Sequence, residues 1–348
     1  MDAAIRKAYR GGFTYTNPKF SKRIVGPVKV FDVNSLYPSV MYYEELPYGA
    51  PVWVNGCPPE GMRPLFIAHI EFTATLKPDH IPCIQIKGSN FFGGTEYLSI
   101  IDEPVDMWVS SVDLKLWREQ YDVEITAWYG AFMFHAKTGM FNQFIDFWMD
   151  IKVHSKGGRK QMAKLQLNSL YGKFATNPDV TGKFPYLKDG RLAFHMGEPA
   201  QRDPVYTAMG VFITAYARAK TIRAAQAHHE DFAYADTDSL HLVTTSMPKD
   251  LDVDPNRLGW WKHEGDFDNA YYARAKCYTE HRVVPGMHRM NPKRHVWDTH
   301  IAGLPRSVAA DVRFTTYGEA PVRLGGKLVP RQVPGGVVLS DVGFLLEV

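Results

Sequence analysis

Three cysteines in 348 residues, Cys57, Cys83 and Cys277, are too few and too widely spaced for a disulfide framework or a zinc ribbon. Their scarcity fits a reducing cytosol, and each reads as a small core residue. Long hydrophobic runs are missing too. The chain opens Met1-Asp-Ala-Ala-Ile-Arg-Lys without an apolar stretch of signal length, and it nowhere carries the roughly 18 apolar residues of a membrane span. Nothing therefore targets it to a membrane or out of the cytoplasm. His228, His229, His281, His288, His295 and His300 lack ligand-like spacing and read as surface or core side chains. Internal repeats and low-complexity tracts are absent. An excess of one charge is lacking as well: 40 Lys+Arg against 37 Asp+Glu leave +3, so composition alone does not identify a nucleic-acid binder. What remains, 45% hydrophobic and 22% charged, suits a globular chain of one large or two ordinary domains.

The most informative stretch is Phe232-Ala-Tyr-Ala-Asp236-Thr-Asp238-Ser-Leu-His-Leu-Val243, two short apolar runs with acid between them. It reads as a hairpin. Strand side chains alternate with period two, which predicts that Asp236 and Asp238 point the same way. Two like charges a few Å apart are unfavourable without a cation. Hard oxygen ligands of this kind suit Mg²⁺, and a solvated Asx-type turn is the alternative.

Val28-Lys-Val-Phe-Asp32-Val is a β-rich run ending near a single acid, followed by Asn34-Ser35-Leu-Tyr37-Pro38. Pro38 suits the first turn of a helix, with Tyr37 extended just before it. Asp32 then lies where a strand stops and a helix begins, a rigid yet accessible position. Residues 44 to 137 read as a mixed region of short strands, among them Phe66–Phe72 and Ile81–Ile86, with Asn90–Thr95 as a loop.

Apolar residues at helical spacing predict a helix over Phe141–Val153, and a second runs from about Gly158 to Tyr171, ended by Gly172. On the second helix Lys160, Lys164 and Asn168 are four apart and Tyr171 three further on, one stripe, with Met162, Leu165 and Leu170 on the faces available for packing. Two cations, an amide and a phenol can grip a triphosphate and test a base; a solvated basic face is the alternative. Gly182–Phe194 suggests a projecting hairpin, and Met209–His229 a long helix feeding into the acidic hairpin. Tyr9-Arg10-Gly11-Gly12-Phe13 reads as a tight turn whose cation could meet a phosphate, with an ordinary hairpin turn as the alternative. Lys276-Cys-Tyr278 reads as a cation and a phenol on one strand. Arg306, Arg313, Arg323, Lys327 and Arg331 give the chain's end a basic character suited to a phosphate backbone, or to solvent.

An acid at a strand end, a Lys/Lys/Asn/Tyr stripe and an acidic hairpin together are the parts of a nucleotidyl-transfer site, in which two metals about 3.5 to 4 Å apart clamp attacking and leaving oxygens. Asp32-Val-Asn-Ser-Leu-Tyr-Pro-Ser resembles motif A of family B DNA polymerases, Lys164-Leu-Gln-Leu-Asn-Ser-Leu-Tyr-Gly motif B, and Tyr234-Ala-Asp-Thr-Asp-Ser motif C. Within that family the chain is similar to the protein-primed polymerases of small tailed bacteriophages. Tyr9-Arg-Gly-Gly resembles the motif joining their exonuclease and polymerase modules. Lys276-Cys-Tyr278 resembles their Lys-x-Tyr motif, Cys277 standing where Thr is usual.

The resemblance implies an α+β right-hand fold with palm (1–43 and 206–300), fingers (138–175) and thumb (301–348). Residues 44–137 and 176–205 would be two insertions like the terminal-protein regions. It implies that Asp32 and Asp238 bind two Mg²⁺, for which Mn²⁺ can substitute, with the Val33 carbonyl assisting and Asp236 supporting the hairpin. Lys160 and Lys164 would hold the triphosphate, Tyr37 would exclude a 2′-hydroxyl, and Asn168 and Tyr171 would line the nascent pair. Tyr9, Arg10, Gly11, Gly12 and Ser35 would lie against DNA, with Lys276 and Tyr278 seating the primer end.

The implied partners are primer–template DNA, dNTPs, a terminal protein and an exonuclease in trans, inside a host cell. Family members carry an N-terminal proofreading exonuclease. This sequence starts almost at the linking motif, which predicts a polymerase module without its own exonuclease, whether a natural chain or a fragment. Distributive synthesis and weak proofreading would follow. A non-catalytic DNA- or terminal-protein-binding replication subunit is the competing reading, and a ribonucleotide-incorporating enzyme a third, against which Tyr37 speaks.

Overall fold

The computed structural model describes residues 1–61, 63–86, 96–188, 191–288, 291–302, 322–333 and 336–346; for 191–192, 286–288, 291–293 and everything from 322 onward it describes the main chain alone. The chain begins α1 (Asp2–Lys7), β1 (Thr14–Thr16), β2 (Ile24–Val25), β3 (Val28–Val33) and α2 (Leu36–Tyr43). Next come β4 (Leu46–Val54), β5 (Leu65–Leu76), β6 (Ile100–Ser110), α3 (Ser111–Gln120) and β7 (Tyr121–Lys137). A helical pair, α4 (Asn142–His154) and α5 (Gly157–Phe174), precedes the hairpin β8 (Asp179–Lys188) and β9 (Arg191–Gln201). Then follow α6 (Thr207–Ala227), β10 (Phe232–Asp236), β11 (Ser239–Val243), β12 (Trp261–Phe267), β13 (Asn269–Arg274), β14 (Cys277–His288), β15 (Asn291–Ile301), β16 (Val322–Val333) and β17 (Gly336–Leu346).

The strands form four sheets, ordered β1-β10-β11-β3-β12, β15-β14-β13-β2, β16-β17-β9-β8 and β4-β7-β5-β6. The first is antiparallel throughout and carries the acids. Helix α6 lies in the main core with it, joined by α2, α3 and the fourth sheet. Its sequence is rich in Ala, the composition of a helix largely surrounded by protein, and Val211, Phe212, Ile213, Ala219 and Ile222 are buried. A smaller core of Phe20, Val28, Val30, Tyr234, Tyr272 and Tyr278 links the first and second sheets. Among the described residues no helix is long and apolar enough to cross a membrane.

Several local expectations are corrected. Ile81–Ile86 is not a strand: Pro82 cannot donate to a ladder, and Ile81 and Cys83 N–H groups donate instead to Gln226 Oε1 (2.9 Å) and Tyr121 Oη (2.8 Å). The strands of residues 44–137 are long, β7 reaching 17 residues: β5 pairs with it along β5's full length and β4 pairs with its far end. Tyr37 is helical, one residue inside α2. Gly172 does not end α5, which continues to Phe174, where the Thr176 hydroxyl donates to the Gly172 carbonyl at 3.0 Å. Met162 and Leu165 are exposed; Ala163 and Leu167 are the residues that bury α5. Cys57 is exposed, unlike Cys83 and Cys277. His281 and His295 meet across β14 and β15, Nε2 to Nδ1 at 2.9 Å. Asn90–Thr95, Arg306 and Arg313 lie outside the described residues, as do the side chains of Arg323, Lys327 and Arg331.

Candidate active site

Strand β3 presents Asp32 between two neighbours, in register with Ser239 on β11 and Lys262 on β12. Asp238 sits in the turn between β10 and β11. Thr237 has φ 59° there, so the strand alternation breaks, and Asp236 and Asp238 are not equivalent positions of one strand. The Val33 N–H donates to the Asp238 carbonyl at 2.8 Å, pulling that turn against β3, while Thr237 N–H donates to Phe13 O (2.6 Å) and the Thr221 hydroxyl to Thr237 O (2.7 Å). Asp32 and Asp238 therefore open into one cavity of about 760 Å³. Asp236 turns elsewhere, accepting from Lys276 Nζ (2.6 Å) and Thr14 Oγ1 (2.9 Å). The expectation that Asp236 and Asp238 form the facing pair is corrected to Asp32 with Asp238.

The opposite wall is the predicted stripe, Lys160, Lys164, Asn168 and Tyr171 on α5, which lines the same cavity together with Gly172, Ser35, Val33 and Tyr37. Tyr37 and Tyr171 stack with ring centroids 4.2 Å apart, and Tyr171 Oη lies 2.5 Å from Tyr9 Oη. Burial pushes the Tyr37 phenol up to about 12, so it remains a neutral, flat wall.

The electrostatics are polarised. Burial, then Asp238 and Glu264, push the Asp32 carboxyl up to about 7 against the opposing pull of Lys262. Asp238 is also raised, by burial first, with Asp236 adding to it. On the other wall burial, with Lys164 and Lys160 nearby, brings Lys152 down to about 8. Acids whose ionisation burial opposes thus share one cavity with crowded cations.

The tight turn expected at residues 9–13 is corrected: the segment is irregular rather than a turn, and neither Gly11 nor Gly12 has a left-handed φ. What Gly12 supplies is close approach, since a Cβ there would fall 2.5 Å from Thr237 Oγ1. Arg218 on α6 clamps the segment: one guanidinium nitrogen donates to the carbonyls of Arg10 (2.6 Å) and Gly11 (2.8 Å), and another donates to both oxygens of Asp113 (2.7 and 2.8 Å). This pair is fully buried, and breaking it by removing one partner costs about 3–5 kcal/mol. Arg10 itself is buried, donating to the Ala8 and Trp108 carbonyls and lying over the Trp117 ring. Its expected phosphate contact is thereby corrected: the guanidinium faces protein.

Lys276 and Tyr278 do not share a strand. Lys276 occupies the turn before β14 at φ 59°, donating its side chain to Asp236, whereas Tyr278 is buried in the smaller core and stacks on His300 at 4.7 Å. Ser35 accepts from Lys152 Nζ at 2.7 Å.

Sequence reasoning missed Lys152, Lys262, Glu264 and Asn256, all on the cavity wall. Lys152 lies across a helix break from Lys160, so no single helical period connects them. Lys262 and Glu264 alternate along β12, a visible signal, but only the cross-strand register with Asp32 gives it meaning.

A family model described as DNA polymerase type B, organellar and viral, matches residues 1–256. The chain belongs to that family. Among these polymerases, the DNA polymerase of Bacillus phage Nf is 47% identical over 360 residues, an alignment covering 100% of this chain and 63% of the relative. That of Bacillus phage phi29 is 46% identical, covering 100% and 62%. That of Streptococcus phage Cp-1 is 31% identical, covering 92% and 56%. The structure of phi29 DNA polymerase complexed with primer–template DNA and incoming nucleotide substrates matches with a TM-score of 0.89 at 45% identity, over 99% of this chain and 62% of that one. The expected α+β polymerase fold is thus the fold observed. The chain spans about 63% of the length of the curated relatives at 47% identity.

Proposed function

We propose that this chain is a template-directed DNA polymerase that adds deoxynucleotides to a 3′-hydroxyl, protein-primed and strand-displacing like the phage relatives it resembles. The observation that carries this reading is the facing of Asp32 and Asp238 across one cavity from Lys152, Lys160 and Lys164. Residues 1–43 and 206–300 are read as palm, 138–175 as fingers, 301–348 as thumb, and 44–137 and 176–205 as the two insertions.

The donor set fits Mg²⁺. Burial raises both carboxyls, Asp32 further by Asp238 and Asp238 further by Asp236, so a cation would favour their charged forms, and the ligands are hard oxygens. Among the described residues no group of three or more His, Cys, Asp or Glu could close a cage around a metal. Mg²⁺ is commonly held by one or two carboxylates together with substrate phosphates. Asp32, Asp238 and the Val33 carbonyl would hold two such ions, which when bound would stabilise charge on the attacking and leaving oxygens. Lys160 and Lys164, with Lys152, would bind the triphosphate; Tyr37 would close the space a 2′-hydroxyl needs; Asn168, Tyr171 and Tyr9 would line the new pair. Gly11, Gly12 and Ser35 would border the DNA, Asp236 would hold the Lys276 turn, and Lys276, backed by the buried Tyr278 ring, would seat the primer end.

Primer extension by this chain with Mg²⁺, half the reactions carrying a downstream blocking strand, tests the proposal. Extension abolished in Asp238→Ala and passing through the block is expected. DNA binding without extension would overturn it in favour of a non-catalytic replication subunit.

A further inference from the structure

The smaller core between the first and second sheets holds two polar side chains that the proposed chemistry leaves unused. His241 on β11 is 1% exposed and Glu280 on β14 is 3% exposed. His241 Nδ1 lies 3.0 Å from Glu280 Oε1 and 3.0 Å from Tyr272 Oη. The rings of Tyr234, Tyr272 and Tyr278 surround the imidazole, with centroids 5.1, 5.7 and 5.3 Å away. Glu280 Oε1 accepts no aligned hydrogen bond, so its contact with His241 is an ion-pair approach rather than a well-formed one. Such a carboxylate is costly to bury, and apolar residues of similar volume would hold two sheets together at least as well. Stability is therefore a poor account of the pair. A polar pair of this kind is better suited to fixing one arrangement of the elements it joins.

What it joins is the two turns of the site. His241 is three residues beyond Asp238, in register with Tyr234 and Val30 on the acid-bearing sheet. Glu280 is two residues beyond Tyr278 and four beyond Lys276 on the second sheet. Alternation puts Tyr278 and Glu280 on the same face of β14, towards His241. Tyr234, packed edge-on against His241, accepts the Lys276 N–H at 3.0 Å and approaches Asp236 at 3.5 Å, while the Lys276 ammonium reaches Asp236 at 2.6 Å. The Lys276 turn thus meets the acidic turn at its tip, and His241 is a buried point behind it where the two sheets make polar contact.

We propose that His241, held by Glu280 and Tyr272, is a positioning residue that sets the Lys276–Tyr278 segment relative to Asp238, and so sets where a primer 3′ end lies against the acids. This rests on the polymerase reading. It separates stability from function: replacing the pair by apolar residues keeps the sheets packed but releases their relative position.

The test compares Glu280→Gln with the double variant His241→Phe/Glu280→Met, in steady-state primer extension, in thermal unfolding, and in acylation of Lys276 followed by mass spectrometry without substrate. The double variant is expected to unfold within a few degrees of the parent yet raise the KM for primer–template about tenfold, with the KM for dNTP changed less than about twofold. Lys276 should acylate several-fold faster, being less firmly held by Asp236. Glu280→Gln keeps an oxygen towards His241 and should restore parental values. Parental primer KM and Lys276 labelling in the double variant overturn the proposal, and so does an equal loss in both KM values. Should the double variant fail to fold, Tyr272→Phe, which deletes one hydroxyl, should show the same pattern at smaller amplitude, and unchanged values there overturn it equally. If the parent chain does not extend primers, the polymerase reading fails, while Lys276 labelling still decides whether His241 positions the turn.

Discussion

Replacing Asp32 with asparagine should raise stability and abolish activity, opposite signs from one atom pair. In the folded chain the Asp32 carboxyl rises from 3.8 to about 7, by burial and by Asp238. A raised carboxyl contributes stability that is complete below the unfolded value and is lost as pH climbs through the folded one, so metal-free protein weakens between about pH 4 and pH 7. At 1.36 kcal/mol per unit the full shift is worth about 4 kcal/mol, and halving it for partial solvent contact leaves about 2 kcal/mol. Asparagine has nearly the same shape and no charge, so Asp32→Asn in EDTA at pH 8 should be more stable than the parent by about 2 kcal/mol, and the gap should narrow to less than about half of that at pH 5. Mg²⁺ should stabilise the parent at pH 8 by mass action and the variant far less. Extension should fall on the order of a thousandfold, since the group that balances developing charge is gone. Urea unfolding at pH 5 and 8, with and without Mg²⁺, reads the first three effects, and primer extension reads the last. A parent whose metal-free stability is flat from pH 5 to 8, or a variant no more stable at pH 8, refutes the reasoning.

Three further outcomes follow from the geometry. Tyr37→Val removes the ring stacked at 4.2 Å on Tyr171, and discrimination against ribonucleotides should fall on the order of a hundredfold, measured by competing rNTP and dNTP incorporation; unchanged discrimination removes Tyr37 from that role. Lys152, brought down to about 8, should lose its charge as pH rises through that value, so the KM for dNTP should climb above pH 8 in the parent and stay flatter in Lys152→Met. A parallel rise in both chains would clear Lys152 of triphosphate binding. Gly12→Ala drives a methyl to 2.5 Å from Thr237 Oγ1 and should shift the Asp238 turn, lowering kcat on the order of a hundredfold. Near-parental kinetics there would mean that the turn yields without moving the acid.

The sequence by itself determined which residue types the site would contain and most of the elements carrying them. Asp32 at a strand end, the Lys160/Lys164/Asn168/Tyr171 stripe and the Asp236/Asp238 hairpin are local patterns, and strand and helix periods are local physics, so they were legible without a fold. Tertiary structure decided which of them face one another. Period two could not anticipate that Thr237 would turn left-handed and hand Asp238 to Asp32 while Asp236 went to Lys276, because that depends on bonds from Phe13, Val33 and Thr221, distant in sequence. Arg10 looked like a phosphate ligand until Ala8, Trp108 and Trp117 enclosed it. Lys152, Lys262 and Glu264 acquired meaning only when a second helix and a neighbouring strand brought them to the same cavity. Charge and burial act over a few Å in space, and chain order constrains those distances only within an element; between elements the packing of α6, the first sheet and the turns sets them.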